Sequence, residues 1–234
     1  MTIKDTIRKY TNELKLVTHI PAKEVEILML HLLEKNTIWL HLNYNVEFEK
    51  EKELAILVKK RATNYPLEYI INKASFYGEM FIVKEGVLIP RPETEILVEN
   101  AVEILKDKKE NIKVLEIGTG SGIISVMLAM LIENIKIIAV DINEKALDLA
   151  KQNAIKHGVE NKIEFRLSNL YENIDETDIF MTISNPPYIA NNYILPTNVK
   201  YEPSNALFGG VVGDELLKDI IKDTNEKNIP YLLC

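Results

Sequence analysis

Between Lys113 and Ser184, four short runs rich in β-branched residues alternate with stretches of helical periodicity. The runs are KVLEI (113–117), KIIAV (136–140), KIEFR (162–166) and DIFMTIS (178–184). Strand alternating with helix dictates a parallel α/β sheet with right-handed crossovers, and both faces of the sheet must be covered. The segment NEKALDLAKQNAIKHG, between the second and third runs, opens on the capping residue Asn143 and stops at Gly158, so it reads as a complete helix. The expectation is a doubly wound domain over the back of the chain.

The front of the chain has a different period. From Ile3 to about Lys73 apolar residues recur three and four apart: Val25, Leu28, Met29, Leu32 and Leu33 form one stripe, and Leu54, Leu57 and Val58 another. Trp39 lies in an apolar patch and reads as a packing residue. In residues 74–92, Phe76, Tyr77, Phe81, Val83 and Val87 interleave with polar residues around Gly78 and Gly86, as in a hairpin. Ile96, Leu97, Ala101, Ile104 and Leu105 then predict a core-facing helix. The organisation expected is a helical domain over 1–73, a β-hairpin linker over 74–92 and the α/β domain over 93–234.

Composition narrows the function. The net charge of −7 offers no general attraction for nucleic acid, although 12 Lys/Arg against 10 Asp/Glu in residues 1–75 make the front mildly basic. Cys234 is the single cysteine, so an intrachain disulfide is excluded, and His19, His31, His41 and His157 show no metal-ligand spacing. The N-terminus has no apolar signal core, and no apolar run approaches the ~20 residues of a membrane span. A cytoplasmic protein without a metal is expected.

The first strand runs into Glu116-Ile117-Gly118-Thr119-Gly120-Ser121-Gly122 and then a helix. Glycines there let the backbone turn sharply and approach a ligand in front of free helix N–H groups. They alternate after an acid, unlike the G-x-G-x-x-G dinucleotide fingerprint, and the P-loop pattern is absent. A cofactor without pyrophosphate, such as S-adenosylmethionine, suits this spacing. Asp141, at the end of the second strand, is placed to accept both hydroxyls of a ribose. After the third strand, Asn169 is a candidate for the adenine edge and Leu170 for its face. The fourth strand ends in Asn185-Pro186-Pro187-Tyr188, where the prolines fix a stiff segment with unpaired carbonyls beside a flat ring. That combination suits a planar substrate bearing an NH2 group.

Asn-Pro-Pro-Tyr in this position resembles the methyltransferases that alkylate planar amide or amino nitrogens, including adenine-N6 and protein-glutamine enzymes. LeuIleProArgProGluThrGlu (88–95) and TyrGluProSerAsnAlaLeuPheGlyGly (201–210) are more specific. With GluValGluIleLeuMetLeuHisLeuLeu (24–33) and LysLysArgAlaThrAsnTyrProLeuGluTyrIle (59–70), they resemble the HemK/PrmC-type peptide chain release factor glutamine methyltransferases over nearly the whole chain.

The resemblance implies a small helical substrate-docking domain ahead of a Rossmann-like methyltransferase domain. It implies S-adenosylmethionine as cofactor, held by Glu116, Gly118, Thr119, Gly120, Ser121, Gly122, Asp141, Asn169, Leu170 and Asn185. The substrate implied is the glutamine of a release factor Gly-Gly-Gln loop. The Asn185 side-chain oxygen and the Pro186 carbonyl would orient the amide, with Pro187 fixing the loop and Tyr188 packing on the amide plane. Arg91 and Glu93 would help close the cofactor pocket, and Glu202 and Pro203 would support the site. Glu68, Asn72 and Asn169 depart from residues usual in the family. The chain stops at AsnIleProTyrLeuLeuCys (228–234), so a sheet without its last strands is expected, its fourth strand at or near an edge. An adenine-N6 methyltransferase and a relative that binds cofactor or release factor without turnover are the alternatives.

Overall fold

The structure, a computed structural model, describes residues 1–234 and divides into two compact units. The first comprises Met1–Asn72 together with Pro196–Tyr201, and the second Lys73–Leu195 together with Glu202–Cys234.

The first unit contains α1 (Ile3–Leu14), α2 (Pro21–Leu33), α3 (Thr37–Leu42), α4 (Glu51–Ala62) and α5 (Leu67–Ile71). Ile3, Ile7, Tyr10 and Leu14 recur at helical spacing and are all buried, so α1 presents one apolar stripe to the core. Val25, Leu28 and Met29 from α2 and Leu54 and Val58 from α4 complete that core, while Leu32 and Leu33 are only partly buried. Thr2 caps α1 by accepting from the Asp5 N–H at 3.1 Å, Asn36 caps α3, and Pro21 occupies the first turn of α2, where its missing N–H leaves nothing unpaired. Arg61 donates from Nε to Glu24 Oε2 at 2.6 Å and from Nη2 to Oε1 at 3.1 Å, a buried two-point pair tying α4 to α2. The returning segment is fixed by the Tyr201 hydroxyl, which donates to the Thr63 carbonyl at 3.1 Å, and by edge-on packing of Tyr201 against Tyr65.

The second unit begins with a hairpin of β1 (Lys73–Phe76) and β2 (Glu79–Ile82). Tyr77 and Gly78 form its two-residue turn, with φ of 53° and 79°, the backbone hand that matches strand twist. The hairpin is shorter than expected: residues 83–91 continue as irregular chain that reaches the site described below. Next come α6 (Glu95–Leu105), β3 (Ile112–Ile117), α7 (Ile123–Leu131), β4 (Ile135–Asp141), α8 (Glu144–Lys156), β5 (Ile163–Leu167) and β6 (Met181–Ser184). On α6 the buried stripe is Val98, Ala101 and Leu105, while Ile96 faces solvent. The chain closes with β7 (Ile189–Ala190), β8 (Phe208–Gly210), α9 (Glu215–Glu226) and β9 (Tyr231–Leu233).

The main sheet has the order β5-β4-β3-β6-β9 with every pair parallel. Alternation along β3 sends Ile112 and Val114 to the face covered by α6 and α7, and Leu115 and Ile117 to the face that receives Ile220 of α9. The fourth run is strand only from Met181. It is not an edge, because Met181, Thr182 and Ile183 pair with Tyr231, Leu232 and Leu233, so β9 takes the outer position. β7 and β8 form a separate parallel pair beyond the end of β6. No helix is long and apolar enough to cross a membrane.

Candidate active site

The carboxyl ends of β3, β4, β5 and β6 open onto one cleft within the second unit, about 790 Å³ when the part open to solvent is counted, the place where open parallel sheets bind ligands. From β3 the chain turns through Gly118, Gly120 and Gly122, at φ of 70°, 55° and 80°. Gly122 has a second constraint, since a Cβ there would stand 2.8 Å from that of Ala150 on α8. The Gly118 and Thr119 N–H groups both donate to the Val140 carbonyl at 2.9 Å, which locks the loop to β4.

Glu116 lies beneath this loop rather than in the cavity wall. Its Oε2 accepts from the Thr119 hydroxyl at 2.8 Å and from the Ser125 N–H at 3.1 Å, and the Ser125 hydroxyl also donates to it. Burial pushes its carboxyl up to about 7, against the pull of these donors, and the charge of Asp141 adds to the rise. The glutamate therefore braces the loop to the start of α7. Thr119, Ser121, Gly122 and Tyr188 are likewise outside the lining, whereas Gly118, Gly120, Asp141, Asn169, Leu170, Asn185, Pro186 and Pro187 contribute to it.

Asp141 accepts from the Gly120 N–H and the Asn143 N–H, both at 2.9 Å, so the carboxylate is fixed at the cavity wall. Burial raises its pKa, opposed by donors from Gly120, Asn143 and Ile142. Asn143 caps α8 through the Lys145 N–H and donates from Nδ2 to the Gly86 carbonyl at 3.1 Å. That bond holds Gly86-Val87-Leu88 as a cavity wall opposite no strand end, which strand-based reading misses. After β5, Leu170 adopts φ of 47°, a strained value for a branched-chain residue, and places its side chain where it both lines the cavity and packs against the α9 face.

At the end of β6, Asn185 donates from Nδ2 to the buried Thr94 hydroxyl at 3.0 Å. Behind it, Glu202 accepts from the Ile89 N–H at 3.0 Å and pairs with Arg91 at 2.5 Å. This carboxylate joins the 86–91 wall to Pro203, Asn205 and Ala206, which also face the cavity. Arg91 is outside the lining and acts on it through Glu202. A Cβ on Gly209 would collide with the Pro187 carbonyl, and one on Gly213 would meet the Tyr188 carbonyl at 2.5 Å, so two glycines form the close backing of the Asn-Pro-Pro-Tyr loop.

Residues 5–71 match the model of the PrmC N-terminal domain, and residues 92–199 that of the methyltransferase small domain. A release factor glutamine methyltransferase of Enterococcus faecalis is 39% identical over 80% of this chain and 68% of its own length. The chain belongs to the release factor glutamine methyltransferases. Members from Dictyoglomus turgidum and Aquifex aeolicus are 42% and 34% identical, covering 84% and 94% of this chain and 71% and 77% of their own lengths. Among solved structures, the hMettl16 catalytic domain in complex with a 3'UTR hairpin superposes with a TM-score of 0.53 at 16% identity, over 76% of this chain and 66% of that one, a likeness of fold alone.

Proposed function

We propose that this chain methylates the side-chain amide nitrogen of the glutamine in a release factor Gly-Gly-Gln loop, using S-adenosylmethionine, in the cytoplasm. The observation that carries this is the convergence, in one cleft, of Asn185 and Pro186 with the glycine turn and the Asp141 carboxylate. The cleft fits the cofactor chemically: a carboxylate stands ready for hydroxyl donors, glycine backbone permits close approach, and Val87, Ile142 and Leu170 offer apolar surface to a flat base. Asn169, which lines the cleft, is the candidate for the edge of that base.

When bound, S-adenosylmethionine supplies an electrophilic methyl group on a sulfonium sulfur. A carboxamide nitrogen is a weak nucleophile because its lone pair is delocalised into the carbonyl. Asn185 Oδ1 and the Pro186 carbonyl accept from its N–H groups, which directs the nitrogen into the cavity and favours the charge distribution in which it is more electron-rich. Pro187 keeps the carbonyls from rotating, and Tyr188 covers the amide plane. Catalysis would rest on positioning and electrostatics with no side chain assigned as a general base, and the N–H proton lost as the N–CH3 bond replaces the S–CH3 bond would pass to solvent. The helical first unit, with its mild positive balance, serves as the docking domain for the protein substrate.

The test is transfer of isotope-labelled methyl from S-adenosylmethionine, offered in parallel to a purified release factor and to adenine-containing DNA and RNA. Label in the release factor alone is expected. Label in nucleic acid would favour an adenine methyltransferase, and cofactor binding without transfer would mark a chain that binds but does not turn over.

A further inference from the structure

The turn after β8 is organised to hold two valines in solvent. Val211 and Val212 are 76% and 69% exposed, yet the backbone that carries them is fixed. The Glu215 carboxylate accepts from the Val212 N–H at 2.9 Å and the Gly213 N–H at 2.8 Å, and Gly213 packs on the Tyr188 carbonyl. Backbone N–H groups from this turn hold the Glu215 carboxyl below the usual carboxylate range, so it stays charged and the turn stays tied at neutral pH.

The neighbouring strand ends in the same way. β7 and β8 run parallel, so both lead out at the same end, and the Asn191 N–H donates to the Gly210 carbonyl at 2.9 Å where they part. Tyr193 and Ile194 follow at 58% and 85% exposure, and Tyr188, the residue just before β7, is 72% exposed. Five large exposed apolar side chains thus flank the ends of one strand pair beside the Asn-Pro-Pro-Tyr loop, a clustering in the chain that suits an interaction surface.

We propose that Val211, Val212, Tyr193 and Ile194 form an apolar rim that docks the protein surface flanking the acceptor glutamine. This rests on the function proposed above. Gly213 against the Tyr188 carbonyl and the β7–β8 pairing put the rim directly beside the Asn-Pro-Pro-Tyr loop, so a protein that delivers an amide to Asn185 arrives next to it. The size of the rim argues for the acceptor rather than a second copy of the chain: a stable dimer commonly uses ~20–30 residues a side, far more than this frame presents. A small apolar contact on a rigid frame suits a substrate that must leave after each turnover, because little ordering entropy is lost on docking.

The experiment compares the wild-type chain with a Val211→Asp/Val212→Asp variant and, on the other strand, Ile194→Asp, using a purified release factor as acceptor. KM for the release factor is expected to rise at least about tenfold in each, with kcat, cofactor affinity and melting temperature unchanged. An unchanged KM in both folded variants, while the wild type methylates normally, would overturn the rim and leave the proposed function standing. No transfer by the wild type would overturn both. A dimer in sedimentation that the substitutions dissociate would also overturn the proposal, by assigning the rim to a second copy.

Discussion

Asn185 and Thr94 are joined by a 3.0 Å hydrogen bond in which the amide Nδ2 donates and the hydroxyl accepts. Thr94 is buried in a short 3-10 turn over Pro92–Thr94, 91 residues earlier in the chain. Because the amide nitrogen is engaged there, the carbonyl end of Asn185 is left free, and in the proposed function it is the end offered to the acceptor. Under the proposed function, the Pro-Arg-Pro-Glu-Thr-Glu stretch would thus orient Asn185 as well as brace the cavity wall.

Thr94→Val keeps the shape and removes the acceptor. kcat is expected to fall about 10- to 100-fold, the scale of a misplaced orienting group, with cofactor affinity unchanged and Thr94→Ser restoring most of the rate. Steady-state kinetics of the two variants, with calorimetry of cofactor binding, check this.

Gly209→Ala is expected to be worse than an ordinary small substitution. Its Cβ would collide with backbone carbonyls of Pro187 and Gly213 rather than with a movable side chain. The acceptor loop must shift, so methyl transfer should drop about 100-fold or more while cofactor binding, centred on Asp141, changes little. Single-turnover assays beside cofactor titration separate the two effects.

Glu202→Ala removes the acceptor of the Ile89 N–H and the partner of Arg91 at once. Arg91 is about one third exposed and recovers some solvation, so the loss expected is about 2 kcal/mol rather than the full penalty of a broken buried pair. Cofactor affinity should fall as well, since the 86–91 wall loses its tie to Pro203. Denaturant unfolding and cofactor titration of the variant measure both.

Glu116 supplies a pH dependence. Its carboxyl is raised from 4.5 to about 7 in the fold, so its contribution to stability is fully present below pH 4.5 and is lost as pH rises through 7. The loss amounts to about 3 kcal/mol across that window. Glu116→Gln should abolish this slope, so wild-type minus variant stability should decline steadily between pH 4.5 and 7 and then level off. Denaturant unfolding at half-unit pH steps tests it.

The α/β alternation was legible because strands and helices announce themselves through local periods of two and 3.6, and the four strand runs fall on β3 to β6. β9 was harder to see: Tyr231, Leu232 and Leu233 acquire meaning only by pairing with Met181, Thr182 and Ile183. At the site, residues at strand ends such as Asp141 and Asn185 could be singled out because a parallel sheet brings successive strand ends to one side. Thr94, the Glu202 link between Ile89 and Arg91, and the glycines behind Pro187 depend on contacts across long stretches of chain, which no local pattern encodes. Glu116 shows the converse limit. An acid just before a glycine loop reads as a ligand contact, and only side-chain direction along β3 shows that it points into the core beneath.

The central claim is best tested by tandem mass spectrometry of a purified release factor after incubation with this chain and S-adenosylmethionine. One added methyl group on the side-chain nitrogen of the Gly-Gly-Gln glutamine, lost when Asn185 is replaced by alanine, is the expected result. A methyl group elsewhere, or an unmodified glutamine despite cofactor binding to the chain, would contradict it.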